Sequence, residues 1–169
     1  MKTIFVDYDK CVGCESCSMR CSLEKIGLIN PAQARINIVR IEEEGIVMPA
    51  LCRHCEVPKC VPACPLNCIS KDILTSLVSI NRETCIGCNL CSKACEYGGP
   101  VGAPRDGSKI KPNTTIKVLC DHCGGDPECV KVCPTGAITY IEQTTETEII
   151  QARGLKELAE TIKRTGKYS

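Results

Sequence analysis

This chain of 169 residues contains 17 cysteines, no tryptophan, one phenylalanine and four tyrosines, so it has few large side chains for an apolar core. Cysteine at this level is typical either of a secreted disulfide scaffold or of an intracellular metalloprotein. The formal net charge of +1 gives no support to a nucleic-acid-binding or membrane-surface protein, and we expect neither kind of partner.

The start of the chain favours the metalloprotein. Residues 1–11, MKTIFVDYDKC, reach an aspartate and a cysteine before an apolar segment of signal-peptide length can form. No apolar run approaches the roughly eighteen residues that a membrane-spanning helix needs. We therefore expect a cytoplasmic protein in a reducing compartment, where metal sites are favoured over disulfides.

The cysteines fall into four groups, which alternate between two motifs. In the first and third groups, an apolar strand-like run and a polar turn precede C-x-G-C-x2-C-x3-C. The second and fourth groups share C-x-H-C, a longer spacer that holds a proline, and C-x3-C-P. The alternation predicts a duplicated unit of two motifs. The groups are Cys11, Cys14, Cys17 and Cys21; Cys52, Cys55, Cys60, Cys64 and Cys68; Cys85, Cys88, Cys91 and Cys95; and Cys120, Cys123, Cys129 and Cys133.

The second group contains one cysteine more than the others. When it is aligned with the fourth group, Cys68 falls opposite Ala137, so we predict that Cys68 is not a ligand and packs as a small buried residue. The alternative is a substitute ligand or a redox switch, which would need an exposed and electropositive setting.

The cysteine spacing favours 4Fe-4S clusters. Three cysteines at C-x2-C-x2-C direct their sulfurs to one face of a cubane, and in the C-x2-C-x2-C-x3-C-P pattern the fourth cysteine ligates the other cluster of a pair. Structural zinc sites normally combine two separated C-x2-C pairs, so a zinc-binding structural module is the weaker alternative. No motif lacks one of its first three cysteines, as a 3Fe cluster would suggest.

These motifs resemble those of the four-cluster, ferredoxin-like electron-transfer subunits of oxidoreductase complexes, relatives of the small subunit of dimethyl sulfoxide reductase. The resemblance covers residues 1–141 and rests on all sixteen motif cysteines, on CRHC and CDHC, and on CPTGAI. The chain looks most like the polyferredoxin subunits of tungsten aldehyde oxidoreductases and of the tungsten-dependent benzoyl-CoA reductase complex. Subunits of carbon monoxide dehydrogenase, hydrogenase or formate dehydrogenase are the alternatives.

The resemblance implies nested ligation, in which the first motif pairs with the fourth and the second with the third. It implies four quartets, named here by their first cysteine: the Cys11 quartet (Cys11, Cys14, Cys17, Cys133), the Cys120 quartet (Cys120, Cys123, Cys129, Cys21), the Cys52 quartet (Cys52, Cys55, Cys60, Cys95) and the Cys85 quartet (Cys85, Cys88, Cys91, Cys64). The implied α+β fold has two pseudo-symmetric bacterial-ferredoxin-like modules with cross-ligated clusters. Residues 1–30 and 96–141 form the outer module, 31–95 the inner module with a β-hairpin insertion, and 142–169 a C-terminal helical extension.

Three segments lie outside the cysteine motifs. Residues 35–48, RINIVRIEEEGIVM, predict a hairpin. Residues 96–115 are rich in glycine, proline, lysine and serine and predict a surface loop. A capping box at Thr145 and Glu148, followed by an apolar stripe that Gly154 interrupts, predicts a C-terminal helix, which packs on the cluster core or docks a partner subunit. The stripe comprises Ile150, Leu155, Leu158, Ala159 and Ile162.

His54 and His122 are the only histidines, and they occupy the same position in the two C-x-H-C motifs. Because thiolates already complete every quartet, we expect these rings to pack or to donate a hydrogen bond to sulfur, with redox-linked protonation as the alternative.

Iron held entirely by cysteine leaves no coordination position for a substrate. We therefore expect a non-catalytic subunit whose four 4Fe-4S clusters relay single electrons between a large catalytic subunit, which contains tungsten or molybdenum, and a flavin, NAD-linked or ferredoxin redox partner. A free-standing soluble ferredoxin is the alternative. Head-to-tail self-association into a longer wire is a further expectation.

Overall fold

The protein is described by a computed structural model that covers residues 2–42, 45–104, 115–142 and 144–165. Short strands and helices alternate along the chain. The strands are β1 (Lys2–Val6), β2 (Ile36–Ile41), β3 (Ile46–Leu51), β4 (Ile69–Lys71), β5 (Val78–Ile80), β6 (Val101–Pro104), β7 (Thr115–Val118) and β8 (Ile138–Glu142), and the α-helices are α1 (Ser16–Ile26), α2 (Leu90–Ala94), α3 (Glu128–Lys131) and α4 (Thr145–Thr165).

Every strand in the described part of the chain belongs to a two-stranded antiparallel ribbon. Consecutive strands pair in β2–β3, β4–β5 and β6–β7, whereas β1 pairs with the distant β8. In that ribbon Lys2 lies opposite Glu142 and Val6 lies opposite Ile138. The first cysteine motif follows β1 and the fourth precedes β8, so this pairing makes the two motifs neighbours.

Contacts of helix α1 with helix α3 and with Asp121 also hold the first and fourth motifs together. Arg20 on α1 donates from Nε to the Glu128 carboxylate on α3 at 2.6 Å. Lys25 on α1 donates to the Asp121 carboxylate at 3.1 Å. Helix α1 ends at Gly27, whose φ of 71° lets its N–H reach the Leu23 carbonyl.

The β4–β5 ribbon joins the second and third motifs. Ile69 pairs with Ile80, and the Asn81 N–H donates to the Cys68 carbonyl at 2.8 Å. The end of the second motif therefore lies beside the start of the third.

Cysteine supplies buried side chains to two of the three clusters that form the core. One buried cluster combines aliphatic side chains of β1, β2, β3 and β8 with the thiols of Cys17, Cys21 and Cys129. In a second cluster the thiols outnumber the aliphatic side chains, and a third, smaller one lies on the β2–β3 hairpin. The second cluster contains Cys52, Cys64, Cys68, Cys85 and Cys91 with Ile69, Val78 and Leu119. Metal ligation at these thiols would therefore act directly on the stability of the core.

The β2–β3 hairpin occupies the segment where the sequence predicts one, and it covers the first cysteine loop. Arg40 on β2 donates hydrogen bonds to the Glu15 carboxylate and the Gly13 carbonyl. Gly13 has a φ of 68°, and a Cβ there would lie 2.7 Å from Val47 Cγ1 on β3. The hairpin can approach the loop this closely only because position 13 has no side chain.

The predicted surface loop at residues 96–115 contains β6 and the start of β7. Val101 pairs with Val118 and Pro104 with Thr115, while residues 105–114 lie outside the described residues. Residues 96–100 lie outside helices and strands, as predicted, although residues 98–100 are buried and not at the surface. The loop prediction was wrong at Val101–Pro104 and at Thr115, because glycine and proline indicate turns without excluding a short ribbon at the edge.

Helix α4 packs against β1 and the turn that follows it. The Gln151 side chain is buried and donates to the Ile4 carbonyl at 3.5 Å, and Gly154 is buried against the Tyr8 ring. The N-cap is Thr144, whose hydroxyl accepts from the Thr147 N–H at 3.3 Å, so the predicted cap at Thr145 was wrong by one residue. No helix among the described residues is long and apolar enough to cross a membrane.

Candidate metal centres

The two copies of each motif repeat the same backbone geometry. In the loops of the first and third motifs, a glycine and the residue just before the following helix both adopt positive φ angles. In the loops of the second and fourth motifs, the histidine adopts a positive φ angle. The angles are 68° at Gly13 and 70° at Gly87, 61° at Glu15 and 67° at Asn89, and 46° at His54 and 52° at His122. The duplication predicted from the sequence is therefore also present in the local structure.

Three groups of cysteines surround cavities, and each group draws its thiols from two motifs. The three groups are those that the nested arrangement implies. Cys11, Cys14, Cys17 and Cys133 line one cavity; Cys120, Cys123, Cys129 and Cys21 line a second; and Cys85, Cys88, Cys91 and Cys64 line a third.

The donor set of these cavities suits a cluster of iron and sulfur. Four thiols converge on each cavity, and soft thiolate ligands are those that iron–sulfur clusters use. Much of the remaining lining is aliphatic, as with Leu66, Ile80 and Ile86 around the Cys85 quartet. An apolar, thiol-lined enclosure therefore fits a 4Fe-4S group at each position.

The Cys52 quartet is also brought together. Burial first, and then the neighbouring Cys95 thiol, raises the pKa of Cys60 to about 11 and raises the pKa of Cys55. A Cβ at Gly99 would lie 3.1 Å from Cys52 Cα and 3.5 Å from Cys95 Sγ. The Gly99 N–H donates to Cys95 Sγ at 3.2 Å, so the backbone itself approaches this quartet closely.

Cys68 lies at the edge of the Cys85 quartet. Its Sγ is 3.2 Å from Cys64 Sγ, and it lines the same cavity. Burial, followed by its contact with Cys64, raises the pKa of Cys68 to about 12. The side chain is buried, unlike the exposed thiol that a redox switch would need.

Burial controls the protonation of the motif thiols. It raises the pKa of Cys17 to about 11 and that of Cys120 to about 12. These thiols are protonated at neutral pH when no cation shares the site. Metal binding must displace their protons and is therefore favoured as the pH rises.

Cys64 and Cys133, which each precede a proline, behave differently. Burial acts to raise both pKa values, but hydrogen bonds outweigh it and lower them. The donors include the Cys68 thiol for Cys64 and the Ile138 N–H for Cys133. The turn after each of these residues therefore stabilises a thiolate.

Thiols of different quartets lie close enough to affect one another's pKa, which indicates that the quartets form a row. The order is the Cys11 quartet, the Cys120 quartet, the Cys52 quartet and the Cys85 quartet. Beyond the larger effect of burial, the charge of Cys17 acts to raise the pKa of Cys129, that of Cys120 the pKa of Cys52, and that of Cys91 the pKa of Cys60. Cys14 and Cys88, in the two end quartets, are exposed, and the other motif thiols are at least partly buried.

His54 and His122 lie between the Cys52 quartet and the Cys120 quartet, which are the two inner quartets of the row. Their rings meet edge to face with centroids 4.8 Å apart, and His54 Nδ1 accepts the Val78 N–H at 2.8 Å. Burial lowers the pKa of both rings, that of His54 to about 4. Both rings are therefore neutral at pH 7, which favours the packing and hydrogen-bonding role over a charged one.

Arg53 is a candidate functional residue that the sequence reasoning missed. It fills the variable position of C-x-H-C, which Asp121 fills in the fourth motif. Its Nε and Nη1 atoms are buried, with no hydrogen-bond partner in the described part of the chain. Asp121 instead contacts Lys25 at 2.9 Å and Arg35 at 2.5 Å. Comparing CRHC with CDHC was the signal that could have found this difference.

Comparisons of the sequence with known proteins identify the family of this chain. Residues 43–143 match the family described as 4Fe-4S dicluster domain. The polyferredoxin-like subunit of aliphatic sulfonate oxidoreductase from Pyrococcus furiosus is 41% identical over 130 residues, which cover 77% of this chain and 70% of that protein. The beta subunit of NADH-dependent phenylglyoxylate dehydrogenase from Aromatoleum evansii is 36% identical over 141 residues, which cover 82% of this chain but only 30% of that protein.

Among solved structures, a chain of the active-site complex BamBC of benzoyl-coenzyme A reductase with benzoyl-CoA is 28% identical to this protein, with a TM-score of 0.46. The match covers 98% of this chain and 91% of that one. The family predicted from the cysteine motifs is confirmed by the family match and by the first relative. This chain belongs to the 4Fe-4S dicluster family, as one of the polyferredoxin-like, iron–sulfur electron-transfer subunits of oxidoreductase complexes, with a small ferredoxin-like fold of α and β elements.

Proposed function

We propose that the sixteen motif cysteines hold four 4Fe-4S clusters, one in each quartet, and that Cys68 is not a ligand. The convergence of thiols from distant motifs on shared cavities carries this proposal, because apolar packing alone gives no reason for four thiols to meet three times. The contacts among the thiols of the Cys52 quartet support the fourth cluster.

The row of quartets supports a relay with two ends. Bound clusters supply one-electron redox chemistry. The chain buries the inner thiols and donates N–H groups to sulfur, from Arg35 to Cys21 at 3.3 Å and from Gly99 to Cys95 at 3.2 Å. Electrons would enter and leave at the exposed ends, beside Cys14 and Cys88.

A large catalytic oxidoreductase subunit is the proposed partner at one end, and a flavin, NAD-linked or ferredoxin partner is proposed at the other. The names of the two relatives, both subunits of oxidoreductases, support this assignment. The resemblance of the motifs favours a tungsten or molybdenum enzyme of the aldehyde oxidoreductase type.

Two modules remain the proposed organisation. The β1–β8 ribbon and the α1–α3 contact support an outer module of residues 1–30 and 96–141, and the β4–β5 ribbon supports an inner module of residues 31–95. The β2–β3 hairpin belongs to the inner module, and its side chains pack with those of β1 in the outer module while its end leads directly into the second motif.

Iron and acid-labile sulfide per chain, measured on anaerobically prepared protein together with the masses of co-purifying subunits, test the proposal. We expect about sixteen of each, from four clusters of four iron atoms, and a large tungsten or molybdenum subunit. About four zinc atoms without sulfide would overturn the cluster assignment. Sixteen iron atoms without any partner would favour the free-standing ferredoxin.

A further inference from the structure

Arg53 places a positive charge beside the Cys52 quartet and the Cys120 quartet, the two inner quartets of the row. Its Nε and Nη1 atoms are buried, and no described residue forms a hydrogen bond with them. After burial, the groups that act most strongly on this guanidinium are Tyr8, Cys52, Cys55 and Cys120. Cys52 and Cys55 belong to one inner quartet, and Cys120 belongs to the other.

The surrounding side chains do not neutralise this charge. A guanidinium stays protonated in proteins, and a buried charge without a partner is strongly unfavourable. Burial raises the pKa of Tyr8, so its hydroxyl is neutral. A histidine ring carries no negative charge in either protonation state, so His54 and His122 cannot balance the guanidinium. The carboxylate in the corresponding position of the fourth motif, Asp121, is already engaged by two cations. The groups that remain to balance Arg53 are the cysteine thiolates.

We propose that Arg53 is the fixed counter-charge of the two inner clusters and raises their reduction potentials. This inference rests on the proposed cysteine assignment. An oxidised 4Fe-4S core with four thiolates carries about −2, which becomes about −3 when it gains an electron. A fixed positive charge stabilises the more negative state, and it does so more strongly in a buried site than at the surface. Arg53 therefore favours the electron on the inner part of the relay.

The duplicated motif shows that this charge is not a requirement of the loop itself. His54 and His122 have similar backbone angles, yet the residue before each histidine differs in charge and in environment. The Asp121 side chain is 47% exposed and forms ion pairs with Lys25 and Arg35, whereas Nε and Nη1 of Arg53 are buried without a hydrogen-bond partner among the described residues. The loop can fold with either residue, so the charge at position 53 acts on what lies beside it.

The test is a potentiometric titration of the holoprotein, followed by electron paramagnetic resonance, on Arg53→Gln, Arg53→Lys and a control. Arg153→Gln is the control, because Arg153 lies exposed on α4, where it pairs with Asp9 at 3.3 Å. In Arg53→Gln, reduction of the inner clusters should become at least about tenfold less favourable, which is about 59 mV for a one-electron couple. Arg53→Lys should retain most of the wild-type potential, and Arg153→Gln should change none.

Wild-type potentials in a fully loaded Arg53→Gln protein would overturn the charge role and leave the cluster assignment intact. If Arg53→Gln loses iron, the Arg53→Lys variant separates a charge role from a structural role, because lysine keeps the positive charge without the planar guanidinium group. A loaded Arg53→Lys protein with wild-type potentials supports the proposal, whereas loss of iron in both variants would make Arg53 structural and overturn it. Wild-type protein without iron–sulfur signals would instead overturn the proposed function.

Discussion

An alanine at position 154 would drive its methyl group into the ring of Tyr8. The Cβ would lie 2.0 Å from Cδ2 and 2.4 Å from Cε2, whereas carbon atoms normally approach to about 3.5–4.0 Å. The Tyr8 ring cannot easily give way, because its hydroxyl is buried and the ring packs against two core clusters. Helix α4 must therefore move outward by more than about 1 Å.

Three effects set the size of the change. Alanine in place of glycine favours the helix itself by about 1 kcal/mol. Overpacking costs about 1–3 kcal/mol, and loss of the hydrogen bond from Gln151 to the Ile4 carbonyl costs about 1 kcal/mol more. Packing outweighs propensity, so Gly154→Ala should weaken the docking of α4 by about 1–3 kcal/mol and increase its opening about five- to a hundredfold.

Amide hydrogen exchange of α4 in the holoprotein measures this opening. Gly154→Ala should exchange faster than wild type, although alanine is the better helix former. Ala152→Gly, at an exposed position of the same helix, should lower the stability of α4 only by the difference in helix propensity, about 1 kcal/mol. In a Tyr8→Ala background the clash is gone, so Gly154→Ala should slow exchange. Slower exchange of Gly154→Ala in the wild-type background would refute the close approach of the helix to Tyr8.

Four further predictions concern the metal centres and assembly. Cys95→Ala should lose about four iron atoms per chain, whereas Cys68→Ala should keep the wild-type iron content; equal iron losses would contradict the assignment of ligands. Burial alone would raise the pKa of Asp121, but hydrogen bonding by Lys25 and the charge of Arg35 outweigh burial and lower this pKa to about 2. The stabilisation of the fold by the Asp121 carboxylate is therefore complete above about pH 4 and is lost as the pH falls toward 2. Asp121→Asn should therefore release clusters to a chelator faster than wild type at pH 7, as followed by visible absorbance; identical rates at pH 7 would argue against this role. Removal of the metal should abolish cooperative unfolding in calorimetry, because thiols form much of the core, and a sharp transition of the metal-free chain would show otherwise. Head-to-tail self-association predicts a mass in light scattering that rises with concentration, and a constant mass would exclude it.

The cysteine motifs could be anticipated because their spacings are local and each motif has a recognisable copy. The pairing of distant motifs into quartets was implied only by the resemblance to a known family. The ribbons that carry the motifs follow from short β-branched runs, as at β2 and β3. What the sequence did not predict depends on contacts between distant segments. Whether a segment rich in glycine and proline, such as that containing β6, pairs with another strand is decided by its neighbours, and propensity carries no information about them.

The missed features of the candidate site have the same origin. The charge difference between CRHC and CDHC is visible in the sequence, but the burial of Arg53 Nε and Nη1 is not. It depends on the folded structure, in which groups from distant segments, such as Tyr8 and Cys120, act on this guanidinium. Gly154 interrupts the apolar stripe predicted for α4, and only the approach to Tyr8 explains why a helix keeps a residue of low propensity there.

The pairing of β1 with β8 has a consequence for how the protein is made. Ribosomal synthesis produces β1 first, but its partner strand appears only after nearly the whole described chain has been translated. The second and third motifs, joined by the short β4–β5 ribbon, can come together much earlier because the loop to be closed is small. If clusters are inserted in the order in which the motifs meet during translation, the Cys52 and Cys85 quartets are loaded first. The Cys11 and Cys120 quartets are completed only after β8 has been made and can pair with β1.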